Sequence, residues 1–411
     1  MRGESKQAAA MAGWLLAACA ASLPMLAWIA ELGDPWYPLT QPAPPGQSAY
    51  LASRLVALYA LMLLWLQVLA GLLIHRLRLP QVRMELVIAW HVPQGLAVLA
   101  FAMLHPLLFW LGIGLRTGKT DWGHWLAPTF SNGYYQSMQS LGRLGLALLV
   151  LGTLGAALAR RLGLRRSASW IHRLNLITFA LALVHGASIG GETRSGLILS
   201  LLTVMAMTVA AGLVDRVKHA LGTGDAAPGL SAQPAFQNPR RICRVLFLAE
   251  AFVLFVALVP VIANLAGAGS QAVSTIPSPE LARSILDGPR VAVIDVREPE
   301  EFAEEHIPGA TCFPVRNLDQ VAPSLVSGAG RVVLYCLKDF RGFEGVRRIR
   351  RYFPRAELID GYGLTRWKAS GFPTTGELAL PDDSAALDAL RAQVAVAAAA
   401  PEPTSRPGTR R

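Results

Sequence analysis

Charged side chains are scarce in this sequence. Asp, Glu, Lys and Arg make up 16% of its 411 residues, where a water-soluble chain carries about a quarter. Acid is scarcer than base: 27 Asp and Glu stand against 38 Lys and Arg, a formal net charge of +11. Cysteine is rare too. Cys19, Cys243, Cys312 and Cys336 are too few and too scattered for a disulfide framework or a cysteine-based metal centre. The same arithmetic excludes collagen, coiled coil and a wholly disordered chain, and no internal repeat is seen. What is abundant is apolar: 53% of residues are hydrophobic, with a mean hydropathy of +0.39. The basic excess implies no nucleic-acid partner, because it falls in short clusters between long apolar runs, the positive-inside pattern of a protein embedded in lipid.

Stretches of about 20 apolar residues cross roughly 30 Å of hydrocarbon. Seven are found, near residues 9–31, 51–74, 85–113, 141–159, 170–189, 195–214 and 243–266. The first follows Arg2 and Lys6 as a signal peptide would, but its length and the positions of Trp14 and Trp28 favour a retained helix. Orientation follows from the loops. One side collects Arg2, Lys6, Arg76, Arg78, Arg83, Arg160, Arg161, Arg165, Arg166, Arg216, Lys218, Arg240, Arg241 and Arg244; the other holds Arg116, Lys119 and Arg194. Lys and Arg resist translocation, so the amino terminus is expected in the cytoplasm of a bacterium, in a multi-pass inner-membrane protein. Seven crossings then place everything after about residue 268 in the periplasm.

At Gly267–Ser278 the composition changes to a Gly, Ser and Pro linker. Beyond it, Val291–Ile294 and Val332–Leu334 read as short strands, and Pro279–Leu286 and Phe343–Tyr352 as helices. The expected fold is thus a multi-pass α-helical membrane bundle of about seven helices followed by an α/β domain with a parallel sheet. Its parts are a first helix and outer loop (1–49), a helical domain (50–215), a cytoplasmic linker (216–241), a seventh helix (242–268), the α/β domain (278–375) and an Ala- and Pro-rich tail (376–411). Within the tail, Asp382–Val396 could form one amphipathic helix, and Pro401–Arg411 reads as disordered.

Coordinating side chains at membrane depth are costly and mark function. The third run places His91 and His105 14 residues apart, and the fifth places His172 and His185 13 apart. At ~1.5 Å per residue the pairs span ~21 Å and ~20 Å, so each helix offers one imidazole near each membrane face. Two such helices side by side make two stacked bis-histidine sites, and paired neutral imidazoles suit a haem iron engaged in electron transfer. Fourteen residues fall only ~40° short of full turns, whereas 13 fall ~140° short, so the fifth helix is expected to kink or unwind. Any single histidine here would as readily hydrogen-bond a neighbouring helix as bind a metal; two matched pairs make that ordinary explanation poor. It stays the better one for His75 and His219, in basic cytoplasmic loops, and for His124 in the aromatic DWGHW loop. Pro93 and Pro106 read as helix kinks, and Phe179, between the two levels, as a core or lipid-facing residue.

Residues 50–215, with H-x13-H in one helix, H-x12-H two helices later, HRL after His172 and HG at His185, resemble the ferric reductase-like transmembrane domain. That family includes ferric reductases, NADPH oxidases and the haem subunit of a periplasmic methionine sulfoxide reductase system. The resemblance implies two b-type haems, an inner one with iron held by His91 and His172 and an outer one with iron held by His105 and His185. Larger members continue into flavin and nicotinamide domains. The cytoplasmic segment Asp215–Arg241 is too short for these, and GTGDAAPG at 222–229 follows no strand, so no flavin or nicotinamide site is expected in the chain. Electrons would come from membrane quinol or a separate cytoplasmic flavoprotein, and leave to a periplasmic acceptor protein or a small sulfur substrate.

The segments VAVIDVREPEEFAEEHIPGATCFPV and RVVLYCLKDFRG…LIDGYGLTRWKASGFP resemble the two halves of a rhodanese domain, over about 278–375. The D-x-R, the HIPGA turn, the strand-end cysteine and the closing G-x-x-x-W-x-x-x-G-x-P occur in order. Backbone N–H groups of a strand-to-helix loop can converge on one point, so a cysteine there is expected to have a lowered pKa and to be able to carry a persulfide or another anionic adduct. Cys336 holds that position, and Arg341 matches the family's loop-closing arginine. Where many members have glycine three residues after the cysteine, this chain has Asp339. A negative rim would oppose thiosulfate-like anions, and Lys338 would offset part of it. Asp295 and Arg297 are expected to form a structural ion pair supporting the loop. Cys312 is expected in the core, with a redox partnership to Cys336 left open. Three functions follow: an electron-transferring oxidoreductase component coupled to sulfur chemistry at Cys336, a membrane-anchored sulfurtransferase with haem redox sensing, or a non-catalytic rhodanese-like module that docks a partner.

Overall fold

The computed structural model describes residues 22–73, 84–119, 127–130, 133–189, 191–194, 196–222, 239–267, 274–287, 291–321, 326 and 328–399. The chain divides into two compact units, residues 1–272 and 273–411.

Among the described residues the first unit contains seven α-helices: α1 (Ser22–Leu32), α2 (Gln47–Leu73), α3 (Met84–Thr117), α4 (Tyr134–Arg161), α5 (Arg165–Ile189), α6 (Gly196–Ala220) and α7 (Pro239–Leu265). Among the described residues, six of them, α2 to α7, are long and apolar enough to cross a membrane. The first expected run is described only from Ser22 onward, so Trp14 and Cys19 lie outside the described residues; Trp28 is buried, edge-on to Trp36. Large apolar side chains face outward along the bundle, among them Phe252, Phe255 and Ile262 on α7 and Leu151, Leu154 and Leu158 on α4. Such continuous exposed apolar faces would be a liability in water and fit contact with lipid tails.

Inside the bundle α2 packs on α3, α6 and α7, while α4 packs on α5. Polar side chains tie these helices where water is absent: the Trp65 indole donates to Thr208 Oγ1 at 2.9 Å, and Asn264 of α7 donates to Pro38 O at 2.9 Å. Arg116 is buried, donating to Pro45 O and Gln47 Oε1 at 2.8 and 2.6 Å. α3 continues through Pro93 and Pro106. The expected break in α5 is not there; the helix is continuous from Arg165 to Ile189. The irregularity lies in its neighbour instead, where residues Leu151–Gly155 of α4 form a π turn. His219 falls in the last turn of α6 rather than in a loop.

The second unit is built on a parallel sheet of order β2-β1-β3-β4, with β1 at Val291–Asp295, β2 at Thr311–Cys312, β3 at Arg331–Cys336 and β4 at Leu358–Gly363. The runs VAVID and RVVLYC lack polar alternation because both faces of the sheet are covered. Ile294, Leu334 and Cys336 pack with Val346 and Ile349 of α10 (Arg341–Ile349) on one face. On the other, Val293, Val333 and Tyr335 meet Leu281 of α8 (Ser278–Leu286), Trp367 of α11 (Leu364–Ala369) and Leu390 of α12 (Asp383–Ala399). A short helix α9 (Pro299–Glu304) follows β1. Helix α12 therefore adds to the core: Ala386 and Leu390 are fully buried.

Candidate functional site

In the first unit the four histidines come together as two pairs. His91 of α3 and His172 of α5 face each other with Nε2 atoms 3.4 Å apart and rings nearly perpendicular. His105 and His185 form the second pair, with ring centroids 6.5 Å apart. Ring nitrogens also meet backbone carbonyls: His105 Nδ1 lies 2.9 Å from Ser53 O, His185 Nδ1 2.8 Å from Met138 O, and His172 Nδ1 3.2 Å from Gly152 O. A carbonyl can only accept, so each of these Nδ1 atoms carries the proton and each Nε2 keeps a bare lone pair. The His91 and His172 Nε2 atoms are within reach of a mutual hydrogen bond or of a shared cation, and an Nδ1–H donated to a carbonyl is how metal-binding imidazoles are usually oriented. Two imidazoles thus come together at each of two levels, a donor type suited to metal ligation.

The π turn of α4 supplies one of these carbonyls, at Gly152, so the irregularity expected of α5 is provided by the helix that buttresses it. Gly142 is required by close approach: a Cβ there would lie 2.7 Å from the His185 ring. Phe179 is buried on α5 between the two levels. His75 and His124 lie outside the described residues, as does the side chain of Cys243.

In the second unit Cys336 ends β3, at the carboxyl edge of the sheet where α/β folds place their sites. Asp295, at the end of β1, is fully buried and binds Arg297 at 2.7 Å; Arg297 also donates to Glu305 O at 2.6 Å. This is the structural pair expected, and burial is outweighed by Asp295 in holding the guanidinium charged. Arg341, first residue of α10, makes two hydrogen bonds of 2.9 and 2.8 Å to Glu301, a residue that sequence reading passed over. Its trace was the E-P-E-E spacing, because Glu298 and Glu301 form the capping box of α9. Burial opposes ionisation of Glu301, but Arg341 and Arg297 hold its carboxyl below the ordinary range.

Three expectations for the loop change. Cys336 is 1% exposed, and its thiol is pushed up to about 11 by burial, which Arg341 only partly offsets and Asp339 reinforces; the lowered pKa expected at a strand-to-helix loop is not realised because the sulfur is shut in the core. Asp339 is not at the rim: it is buried, with φ +67°, and its carboxylate accepts from Arg366. Cys312 cannot pair with Cys336. It is half-buried in register with Asp295 and Tyr335, on the opposite face of the sheet from Cys336, and β1 stands between β2 and β3. Two strand spacings, ~9–10 Å, exceed the ~7 Å Cα separation a disulfide allows. Burial and Asp295 push the Cys312 thiol up to about 12.

The β4–α11 turn, also missed, closes the loop. Thr365 donates through N and Oγ1 to Leu337 O, at 3.3 and 2.9 Å. The family model described as "Rhodanese-like domain" matches residues 278–370. The second unit carries a rhodanese-like domain. The chain is 32% identical over 99 residues to an uncharacterized protein of Synechocystis sp., covering 24% of this chain and 54% of that protein. It is 29% identical over 120 residues to arsenate reductase 2.1 of Oryza sativa subsp. japonica, covering 26% of this chain and 75% of that protein. The chain thus spans about half the length of the first relative. No ferric reductase or cytochrome b family matches the helical unit. A rhodanese-like domain joined to helices long and apolar enough to cross a membrane fits a membrane-anchored arrangement.

Proposed function

We propose that this chain is an inner-membrane electron carrier whose histidine pairs hold two b-type haems and whose rhodanese-like domain performs sulfur chemistry at Cys336 on the periplasmic side. The observation that carries the reading is the two histidine pairs, His91 with His172 and His105 with His185, with Nδ1 of His105, His172 and His185 each set against a backbone carbonyl. Bound haem supplies reversible one-electron chemistry. The residues supply the rest: Ser53, Met138 and Gly152 fix three imidazole tautomers, the bundle excludes water, and the separation of the pairs along α3 and α5 provides two levels across the membrane. Quinol or a cytoplasmic flavoprotein is the donor in this reading, and a periplasmic protein or small sulfur compound the acceptor. Purified protein is expected to give a low-spin b-type spectrum with close to two haems per chain; a well-folded, haem-free preparation would reject the proposal.

The orientation rests on the basic loops. A reporter active only in the periplasm, fused to the carboxyl terminus, is expected to score positive, and a cytoplasmic result would reverse the direction of electron flow.

One observation favours a second reading, a partner-docking module without turnover: Cys336 is buried and its thiol stays protonated at neutral pH. The activity named for the rice relative, arsenate reduction, supports chemistry on a bound oxyanion instead. Thiosulfate:cyanide sulfur transfer lost on Cys336→Ser decides between them.

A further inference from the structure

Among the described residues, two other than glycine have positive φ, Asp339 at 67° and Tyr362 at 61°. They lie on the two sides of one contact. Tyr362 sits where the β3–β4 register slips, Leu334 pairing with Asp360 and Cys336 with Gly363. The slip brings Gly363 against the Cys336 loop so closely that a Cβ would meet both Asp339 Oδ1 and Leu337 O. Arg366 stacks over the Tyr362 ring, 4.2 Å from its centroid, and closes the contact by donating to Asp339 Oδ2.

Left-handed backbone at a residue with a side chain costs free energy and persists only where the surroundings hold it. For Asp339 the holding partner is Arg366. The arrangement is lopsided: the Asp339 side chain is 2% exposed, whereas that of Arg366 is 35% exposed. An anion arriving from solvent can therefore reach the guanidinium without unfolding the domain, and guanidinium binds planar and tetrahedral oxyanions as well as it binds a carboxylate. The loop beneath the ion pair continues directly from Cys336, which packs with Val346 and Ile349.

We propose that Arg366 is the anion-recognising residue of the Cys336 site, and that the Asp339 carboxylate is a built-in occupant which an oxyanion substrate must displace before the thiol is exposed. The inference rests on Cys336 as the reactive residue of the domain. It makes the residue in the family's glycine position a selectivity device: an anion too weak to compete with Asp339 leaves the loop shut.

The test uses the full-length protein in detergent, alkylated in parallel with neutral iodoacetamide and anionic iodoacetate. Modification of Cys336 is followed by mass spectrometry in the tryptic peptide of residues 332–338. The unsubstituted protein is expected to react slowly with both reagents. Asp339→Gly relaxes the backbone while removing the carboxylate, so it folds; it should accelerate labelling by about tenfold, the weight of one charge-assisted hydrogen bond, and favour iodoacetate. Arg366→Gln should accelerate iodoacetamide with no preference for iodoacetate. Unchanged rates in Asp339→Gly overturn the occluding role, and equal gains with both reagents overturn anion recognition by Arg366. If labelling follows the expected pattern but no variant transfers sulfur from thiosulfate, the occluded anion site stands and the sulfurtransferase reading fails.

Discussion

Asp295→Ala is expected to destabilise the rhodanese-like domain by about 3–5 kcal/mol, the cost of removing one partner from a buried ion pair. Domains are stable by only about 5–15 kcal/mol, so this change alone approaches the limit of folding. The size follows from the surroundings of the pair. Asp295 is fully buried and Arg297 2% exposed; the carboxylate receives the Arg297 backbone N–H at 3.0 Å as well as its guanidinium. Removing the carboxylate strands the Arg297 charge between β1 and the turn after α9, which Arg297 anchors through Glu305 O. The double variant Asp295→Ala, Arg297→Met removes both charges and is expected to recover most of the loss, because no uncompensated ion remains. Pulse proteolysis of the full chain in urea, with fragments of the second unit followed by a carboxyl-terminal tag, measures both. An unchanged midpoint for Asp295→Ala would show that the pair does not hold the domain.

The second large effect is on cofactor content. On the proposed reading, His185→Ala is expected to halve the haem per chain and leave the signal of the His91–His172 pair, because the two pairs share no residue. His105→Ala should do the same, and His91→Ala should remove the other half. An indirect variant sharpens the claim. Gly142→Ala places a methyl group 2.7 Å from the His185 ring and so turns the imidazole without removing it; disturbing a ligand's support in this way weakens metal affinity roughly 10–100-fold. Haem extraction with pyridine and the reduced-minus-oxidised spectrum read all four. An unchanged spectrum in His185→Ala rejects the pairing, and retention of both haems in Gly142→Ala would show that α4 does not position the ligand.

Much of this could be read from sequence where a single physical quantity acts along the chain. Runs of apolar residues reported the helices because length and hydropathy are local, and the unbroken β-branched runs at Val291–Asp295 and Arg331–Cys336 reported strands covered on both faces. The four histidines stood out because imidazole is conspicuous among leucines. Spacing misled in α5, where an ideal helix puts His172 and His185 ~140° apart. The helix stays regular, and a π turn in the neighbouring α4 places a carbonyl at His172.

The cysteine loop shows the opposite limit. Sequence order identified Cys336, Arg341 and the departure at Asp339, and from these the reading expected an exposed, acidified thiol under a negative rim. Burial and pairing are properties of the assembled sheet. The β3–β4 slip, the left-handed Tyr362 and Arg366 come from a segment more than 20 residues downstream, and together they bury Asp339 and shut Cys336 in the core.

By itself, then, the scarcity of charge determined a chain partitioned between lipid and water, with coordinating groups confined to two helices and one cysteine at a strand end. Such features follow from composition and short-range order. Tertiary structure alone decided which carbonyls meet His105, His172 and His185, which faces of the sheet Cys312 and Cys336 occupy and which arginine Asp339 meets. Those outcomes depend on contacts between segments distant in sequence, and a carboxylate or thiol takes its chemistry from whatever the fold places beside it.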